Sequence, residues 1–360
     1  MSVRLMNTSE DYKKLGVSPD KVEMWEDGRR DNDDSGHWEW WYSDAIMDDG
    51  TVVVIQFLQK SIMNVGNNVA KPAVSFRITL PDGTKYEKAI AVPNEQCTYS
   101  TDKCDVRFGP HIFSGDLKEY KLYVETVDGM GADLTLTSLS KPFRPGTAYY
   151  GFDDRYYTWL CVVPKGRVTG TLTIDGKKVQ VNGYGYHDHQ WGSIPFHLAW
   201  NHWWWARQSY DDYTLLVFNM VTSRNHEFKC FPIMFIQDKD GNLVFSNTEG
   251  GTCEILEGYK CEVSGKDYPK KTRFTYNNSD KEVQYTLTAD KELETVDSYH
   301  AAPEAIRAAA FDKMGLRPSY TRYLATGDLV IKDGSETINR SAELIYEFMY
   351  PGKSYKDSEE

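Results

Sequence analysis

Asp188 is the residue of this sequence best placed to do chemistry. It lies in Tyr184-Gly185-Tyr186-His187-Asp188-His189-Gln190-Trp191-Gly192, a stretch dense in aromatic side chains. On a β-strand, Tyr184, Tyr186, Asp188 and Gln190 share one face, while His187, His189 and Trp191 share the other. If the Asp188 face lines a barrel interior, burial raises the carboxyl pKa and the tyrosine hydroxyls orient its proton. That makes a general acid near neutral pH. The alternative is an exposed Asp188 capping a turn, with the tyrosines packed as core.

Tryptophan placement supports the first reading. Eight of the ten tryptophans fall in two stretches, one at Trp38-Glu39-Trp40-Trp41-Tyr42 and one running from Trp191 to Trp203-Trp204-Trp205. Large aromatic faces in a desolvated site stabilise a developing cation. The two clusters are therefore expected to wall one apolar pocket centred on Asp188.

Other candidate groups have plainer readings. Glu39 shares a strand face with His37 and Trp41, and a buried Glu needs a partner. Arg207, in Trp205-Ala206-Arg207, is the expected one, as a clamp between two β units. His187 and His189 at i, i+2 have a chelating spacing, with His197 and His202 nearby in sequence. Aromatic surroundings offer them few supporting carboxylates, so they read as structural, and neither a metal nor another cofactor is expected. Asp31-Asn32-Asp33-Asp34-Ser35-Gly36 resembles the opening of a calcium loop, but the twelfth position would be Tyr42 instead of Glu. It reads as a solvated acidic turn. Tyr156-Tyr157-Thr158-Trp159 is a further aromatic strand. There is no Gly-x-Ser-x-Gly nucleophile elbow and no phosphate-cradling glycine loop.

The bulk properties bound the function. The chain has 360 residues and a net charge of −12, which argues against nucleic acid or an anionic membrane as partner. No run approaches a transmembrane span, and the first residues lack an apolar signal core, so a cytoplasmic protein without membrane insertion is expected. Six cysteines without a Cys-x-x-Cys pair fit mostly buried thiols in a reducing compartment, with Cys97–Cys104 or Cys253–Cys261 the pairs close enough in sequence to bridge. A monomer or homodimer is expected.

Positioning these groups falls to strands. Residues 1–36 are polar and read as an arm that lies over the surface or is partly disordered. From Trp38 onward, runs such as Thr51–Gln59, Ala73–Leu80, Arg167–Ile174, Tyr213–Thr222, Glu227–Ile236 and Tyr320–Ile331 are rich in β-branched and aromatic residues. Turn signatures at Pro81-Asp82-Gly83, Asp175-Gly176, Asp240-Gly241 and Asp333-Gly334 punctuate them. Pro303 through Met314, ended by Gly315, predicts one short helix. The expectation is an all-β chain of two antiparallel barrel or sandwich units, residues 37–192 and 193–360.

Three segments carry a family resemblance. Glu39-Trp40-Trp41-Tyr42-Ser43-Asp44-Ala45 resembles the N-terminal signature of the lipocalin-like carotenoid 1,2-hydratase superfamily. That superfamily takes in AttH-like proteins, kievitone hydratase and fungal lipocalin-like Diels–Alderases. Gly185 to Gly192 resembles its central Tyr-x-Asp-x-x-Trp-Gly motif, and Arg317-Pro318-Ser319-Tyr320-Thr321-Arg322 with Glu347 resembles its closing segment.

The resemblance implies two lipocalin-like β-barrel units. It implies acid-catalysed water addition to an alkene of an isoprenoid, with Asp188 as acid and Tyr186, Trp191 and Trp159 as companions. Tyr157 stands where the hydratases carry His. Tyr157, Trp41, Glu39, Tyr184, His187, Trp203, Trp205 and Arg207 are the expected substrate-binding residues. The resulting reading is a cofactor-independent hydratase, dehydratase or cyclase acting on an apolar isoprenoid or polyene. A pericyclase folding a polyene, or a non-catalytic carrier of a hydrophobic small molecule, are the alternatives.

Overall fold

The computed structural model describes residues 3–60, 70–247, 250–277 and 281–354. It divides into two compact units, Arg4–Pro195 and Val3 with the chain from Phe196 on. Each unit is built on a curled antiparallel half-barrel sheet, the all-β architecture expected.

In the first unit one side of the sheet runs through β2 (Trp38–Met47), β3 (Val52–Leu58), β4 (Ala73–Thr79) and β5 (Lys85–Ala91). The other side continues from β2 into β13 (Lys177–Gly192) and β12 (Arg155–Ile174). It goes on through β10 (Met130–Ser138), β9 (Glu119–Val127), β8 (His111–Gly115), β7 (Asp105–Phe108) and β6 (Cys97–Tyr99). The short β1 (Val3–Leu5) pairs with β11 (Tyr149–Phe152), which lies against β12.

The second sheet repeats the plan. From β14 (Trp200–Ser209) it steps outward through β15 (Tyr213–Thr222), β16 (Cys230–Asp238) and β17 (Leu243–Asn247). On its other side, β14 meets β22 (Glu336–Tyr350), then β21 (Ser319–Asp333), β20 (Lys281–Asp297), β19 (Asp267–Asn277) and β18 (Thr252–Lys260). In both sheets the first strand of a meander pairs with the last strand of the unit.

Local chemistry explains the turns. Asp175 and Gly176 both have positive φ, 51° and 74°, the conformation an Asp-Gly hairpin turn requires. Strand β16 starts at Cys230, later than its apolar run implies, because Glu227 and Phe228 at φ 63° and 53° belong to the preceding turn. The expected helix is present as Glu304–Ile306 continuing into a wider π turn, Arg307–Asp312.

A second helix, Ser9–Leu15, was not expected. Thr8 and Asp11 cap it reciprocally, a signal already present in the sequence. Residues 4–36 are not an outlying arm. They fold with the first unit, where Glu26 forms a buried ion pair with Arg144 at 2.7 Å and Trp41 Nε1 donates to the Asp27 carbonyl at 3.0 Å. The acidic run is likewise tied down, with Lys60 Nζ donating to the carbonyls of Asp33 and Asp34. All six cysteines are free thiols, so neither proposed bridge forms. No helix among the described residues is long and apolar enough to cross a membrane.

The core of the first unit fills from alternate positions of its strands, including Val53, Ile55 and Phe57 of β3 and Val74, Phe76 and Ile78 of β4. Gly183 lets β13 approach β2: a Cβ there would lie 2.3 Å from the Ile46 oxygen and 2.6 Å from Met47 Cα. Gly183→Ala is expected to cost about 2–3 kcal/mol, lowering the Tm by roughly 5–10 °C. An unchanged melting curve would show that the strands are not packed this closely.

Candidate functional site

Strands β2, β13 and β12 lie side by side, and residues directly opposed on antiparallel neighbours share a face. The register sets Asp188 between Tyr42 and Cys161, and Gln190 between Trp40 and Trp159. One face thus gathers Tyr186, Asp188, Gln190, Tyr157, Trp159, Trp38 and Trp40. It is not the barrel interior expected for Asp188. The hydrophobic core lies on the opposite face, with Trp41 and Trp191. Further along the same strands the core-side positions are the apolar Ala45, Met47 and Val181, and they decide which face turns inward.

Asp188 is buried all the same, with 3% of its surface exposed. Its Oδ2 accepts from the Tyr186 hydroxyl at 2.8 Å and from Trp159 Nε1 at 3.2 Å. The Gln190 amide donates to both oxygens at 3.3 Å. Tyr157 fixes that amide by donating to Gln190 Oε1 at 2.9 Å. Burial pushes the Asp188 carboxyl up to about 6, and the Tyr186, Gln190 and Trp159 donors hold it from going higher. Oδ2 is crowded with donors, so Oδ1 is the oxygen left to carry a proton. Trp38 and Trp40 stack 4.6 Å apart on the neighbouring strand, and Tyr157 lies 5.8 Å from Trp38.

The core-side face carries a second polar cluster. Glu39 Oε1 accepts from the Arg30 amide at 2.7 Å and faces His189 Nε2 at 2.8 Å, while Oε2 accepts from the Asp31 amide at 3.2 Å. These partners replace the expected Arg207. His187 Nδ1 faces the Tyr42 carbonyl at 2.8 Å and its Nε2 faces Asp27 Oδ2 at 3.2 Å, an oxygen that also accepts from Tyr120 at 2.6 Å.

Burial raises Glu39 to about 8 and lowers His189 to about 3, so this pair shares its proton without separating charge. Trp41 stacks on His189 at 4.6 Å, and the tilted Trp191 ring also lies 4.6 Å from it. Trp191, Trp41, Glu39 and His187 therefore do not meet Asp188. Strand alternation places them on the far side of the sheet.

Tyr184 shares the Asp188 face but is 49% exposed, with the Arg167 guanidinium 4.8 Å above its ring. Trp203, Trp205 and Arg207 belong to the second unit, on the face of β14 opposite the core residues Trp204 and Ala206. Arg207 there lies 5.5 Å from the Trp205 ring centre. On the same sheet, Glu347 pairs in register with Trp205 and Arg322, accepting from Tyr320 at 2.6 Å with the Arg322 guanidinium 3.9 Å away.

The AttH-like family model matches residues 73–309, the greater part of the sequence. The chain belongs to the AttH-like family. A quinolone epoxide rearrangement protein, penF of Penicillium thymicola, is 26% identical over 117 residues, covering 31% of this chain and 32% of that protein. The chain thus matches about a third of the length of this curated relative.

An AttH crystal structure from Nitrosomonas europaea has a TM-score of 0.58 at 16% identity, covering 93% of this chain and 98% of the other. Kievitone hydratase from Nectria haematococca has a TM-score of 0.55 at 14% identity, covering 93% and 94%. These likenesses establish the lipocalin-like fold that the sequence motifs imply.

Several site residues of this AttH-like chain escape sequence reasoning. Asp27, Cys104 and Tyr120 come from a short helical turn, a loop and a strand that share no motif with β13. The judgement that the His187–His189 pair lacks supporting carboxylates is corrected by Asp27 and Glu39, which meet the two imidazoles from outside their own strand.

The Glu39 shift has a measurable sign. Its folded pKa of about 8 lies above the ordinary Glu value near ~4.3, so its stabilising contribution is full below about pH 4 and is lost as pH rises to about 8. Relative to Glu39→Gln, which cannot ionise, the parent protein should lose urea stability across that window. A pH-independent difference between the two would show that Glu39 stays ionised in the folded state.

Proposed function

We propose that this protein is an enzyme of the hydratase, dehydratase or cyclase class, and that Asp188 protonates an alkene of an apolar isoprenoid or polyene. The observation that carries this reading is a buried carboxyl held by Tyr186, Trp159 and Gln190, with its pKa brought close to neutral by burial. A general acid works best with a pKa near the operating pH.

In the proposed step the Asp188 O–H bond breaks, its proton adds to one alkene carbon, and the other carbon becomes a cation. Water then adds to that carbon and a proton returns to the carboxylate. In a cyclase, an internal double bond or hydroxyl takes the place of water. Tyr186 and Trp159 point their polar edges at Asp188 and act as holders. The stacked Trp38 and Trp40 offer π surface, each worth ~1–2 kcal/mol to a desolvated cation. Trp191 is assigned a positioning role behind the sheet, through His189.

The named activities of two similar proteins support the class without fixing the substrate. One adds water, and the other rearranges an epoxide, a group that also opens under acid.

Asp188→Asn is expected to lower turnover about 10²–10⁴-fold, with Tyr186→Phe milder. The rate should rise as pH falls through about 6, because the acid must be protonated. Incubation with candidate polyenes in H₂¹⁸O, read by mass spectrometry, separates the chemistries. Label uptake means hydration, and an Asp188-dependent isomer of unchanged mass means cyclisation. An isomer formed equally by Asp188→Asn would favour a pericyclic reaction, and unchanged ligand bound by both proteins would favour a carrier. Either of the last two sinks the acid mechanism.

A further inference from the structure

We infer that the core of the first unit holds a site for a divalent metal of the zinc class, formed by Asp27, Cys104 and His187. One ligand atom from each lies within 4.8 Å of the others, and all three residues are buried. Ligands at zinc distances of 2.0–2.3 Å stand roughly 3.3–3.8 Å apart in a tetrahedron. The trio therefore needs only a small contraction to close on an ion.

Three observations separate this cluster from an ordinary buried hydrogen-bond network. First, Asp27 Oδ1 is buried with no nitrogen or oxygen donor in hydrogen-bond range, while Oδ2 is held by Tyr120 at 2.6 Å. The Cys104 thiol, which also donates to the Phe113 carbonyl at 3.6 Å, pairs with the same carboxyl. A carboxylate oxygen left bare in a protein core is costly unless something else binds it.

Second, His187 is oriented as a metal ligand is. Its Nδ1 faces the Tyr42 carbonyl at 2.8 Å, which requires the proton on that nitrogen and turns Nε2 toward Asp27 and Cys104. His189 Nδ1 stands 3.5 Å from Asp27 Oδ1, but with Nε2 facing the protonated Glu39 it carries the ring proton and is not one of the ligands.

Third, charge balances. A thiolate and a carboxylate neutralise a 2+ ion, and the neutral His187 imidazole adds no charge, so the occupied site is neutral. On binding, the Cys104 S–H bond breaks, its proton leaves to solvent, and the sulfur lone pair goes to the metal. The mixed sulfur, nitrogen and oxygen donors suit zinc and disfavour magnesium or calcium, which take oxygen shells. Such an ion would pin the segment before β2 and the loop before β7 to β13, one residue from Asp188.

The test uses the full chain expressed in zinc-supplemented medium and purified without chelator. Mass spectrometry of the metal content is expected to find close to a single zinc per chain. Protein loaded with Co²⁺ during refolding should show a thiolate-to-cobalt charge-transfer band. That band should vanish in Cys104→Ser and persist in Cys97→Ser and Cys230→Ser. Zinc at a hundredfold excess over its Kd should raise the Tm by about 5–10 °C, and chelation should reverse the rise.

Should Cys104→Ser fail to fold, Asp27→Asn and the wild-type cobalt spectrum still decide. Wild-type protein that carries no zinc and gives no cobalt band overturns the site. Zinc that follows Cys97 or Cys230 instead of Cys104 overturns it equally.

Discussion

The pairing of β13 with β2 on one side and β12 on the other is the constraint on which the site depends. Asp188 is an acid of interest only because that register puts Tyr186, Trp159 and Gln190 within hydrogen-bond reach of it. The same register turns His187 and His189 to the opposite side, where Asp27 and Glu39 meet them. A slip of a single residue would exchange the two sets. It would put imidazoles among the tryptophans and a carboxylate into the apolar core, so the register is strongly specified from both sides.

The two clusters handle burial differently. Asp188 is surrounded by neutral donors, which favour the anion, while loss of water disfavours it, and the opposing effects meet near neutrality. Glu39 and His189 resolve the same conflict by sharing one proton as a neutral pair. Of the two arrangements, only the first has no base already paired with the carboxyl's proton, since the Glu39 proton is committed to His189. That difference is why the proton-transfer role is proposed for Asp188, although Glu39 is as deeply buried.

Much of this was legible in the sequence. The β-branched runs and Asp-Gly turns specify an all-β chain, and strand alternation correctly sorts Tyr186, Asp188 and Gln190 from His187, His189 and Trp191. Which set faces the core was harder to see, because Trp38 to Tyr42 and Tyr184 to Trp191 carry aromatics at both odd and even positions. The deciding residues, Ala45, Met47 and Val181, lie at the far ends of those strands, away from the motifs. Asp27 and Cys104 had no periodic signal, since contacts made from a turn and a loop depend on the closed sheet, and Tyr120, although on an alternating strand, carried no sign of which acid it would meet. Arg207 was a reasonable partner for Glu39 by charge alone, but two backbone amides and an imidazole serve a buried carboxyl without a second full charge.

The shared strand order of the two sheets sets up equivalent stations for side chains in the two units. In each unit the closing strand presents a carboxylate on the face away from the core, opposite an aromatic residue of the opening strand: Asp188 with Tyr42, and Glu347 with Trp205. Around Asp188 the companions are phenol, indole and amide, whereas Glu347 has a phenol and a guanidinium. Equivalent stations of the two sheets thus hold their carboxylates in different polar surroundings. With a core and a sheet of its own in each unit, a substitution around one carboxylate leaves the packing that holds the other untouched.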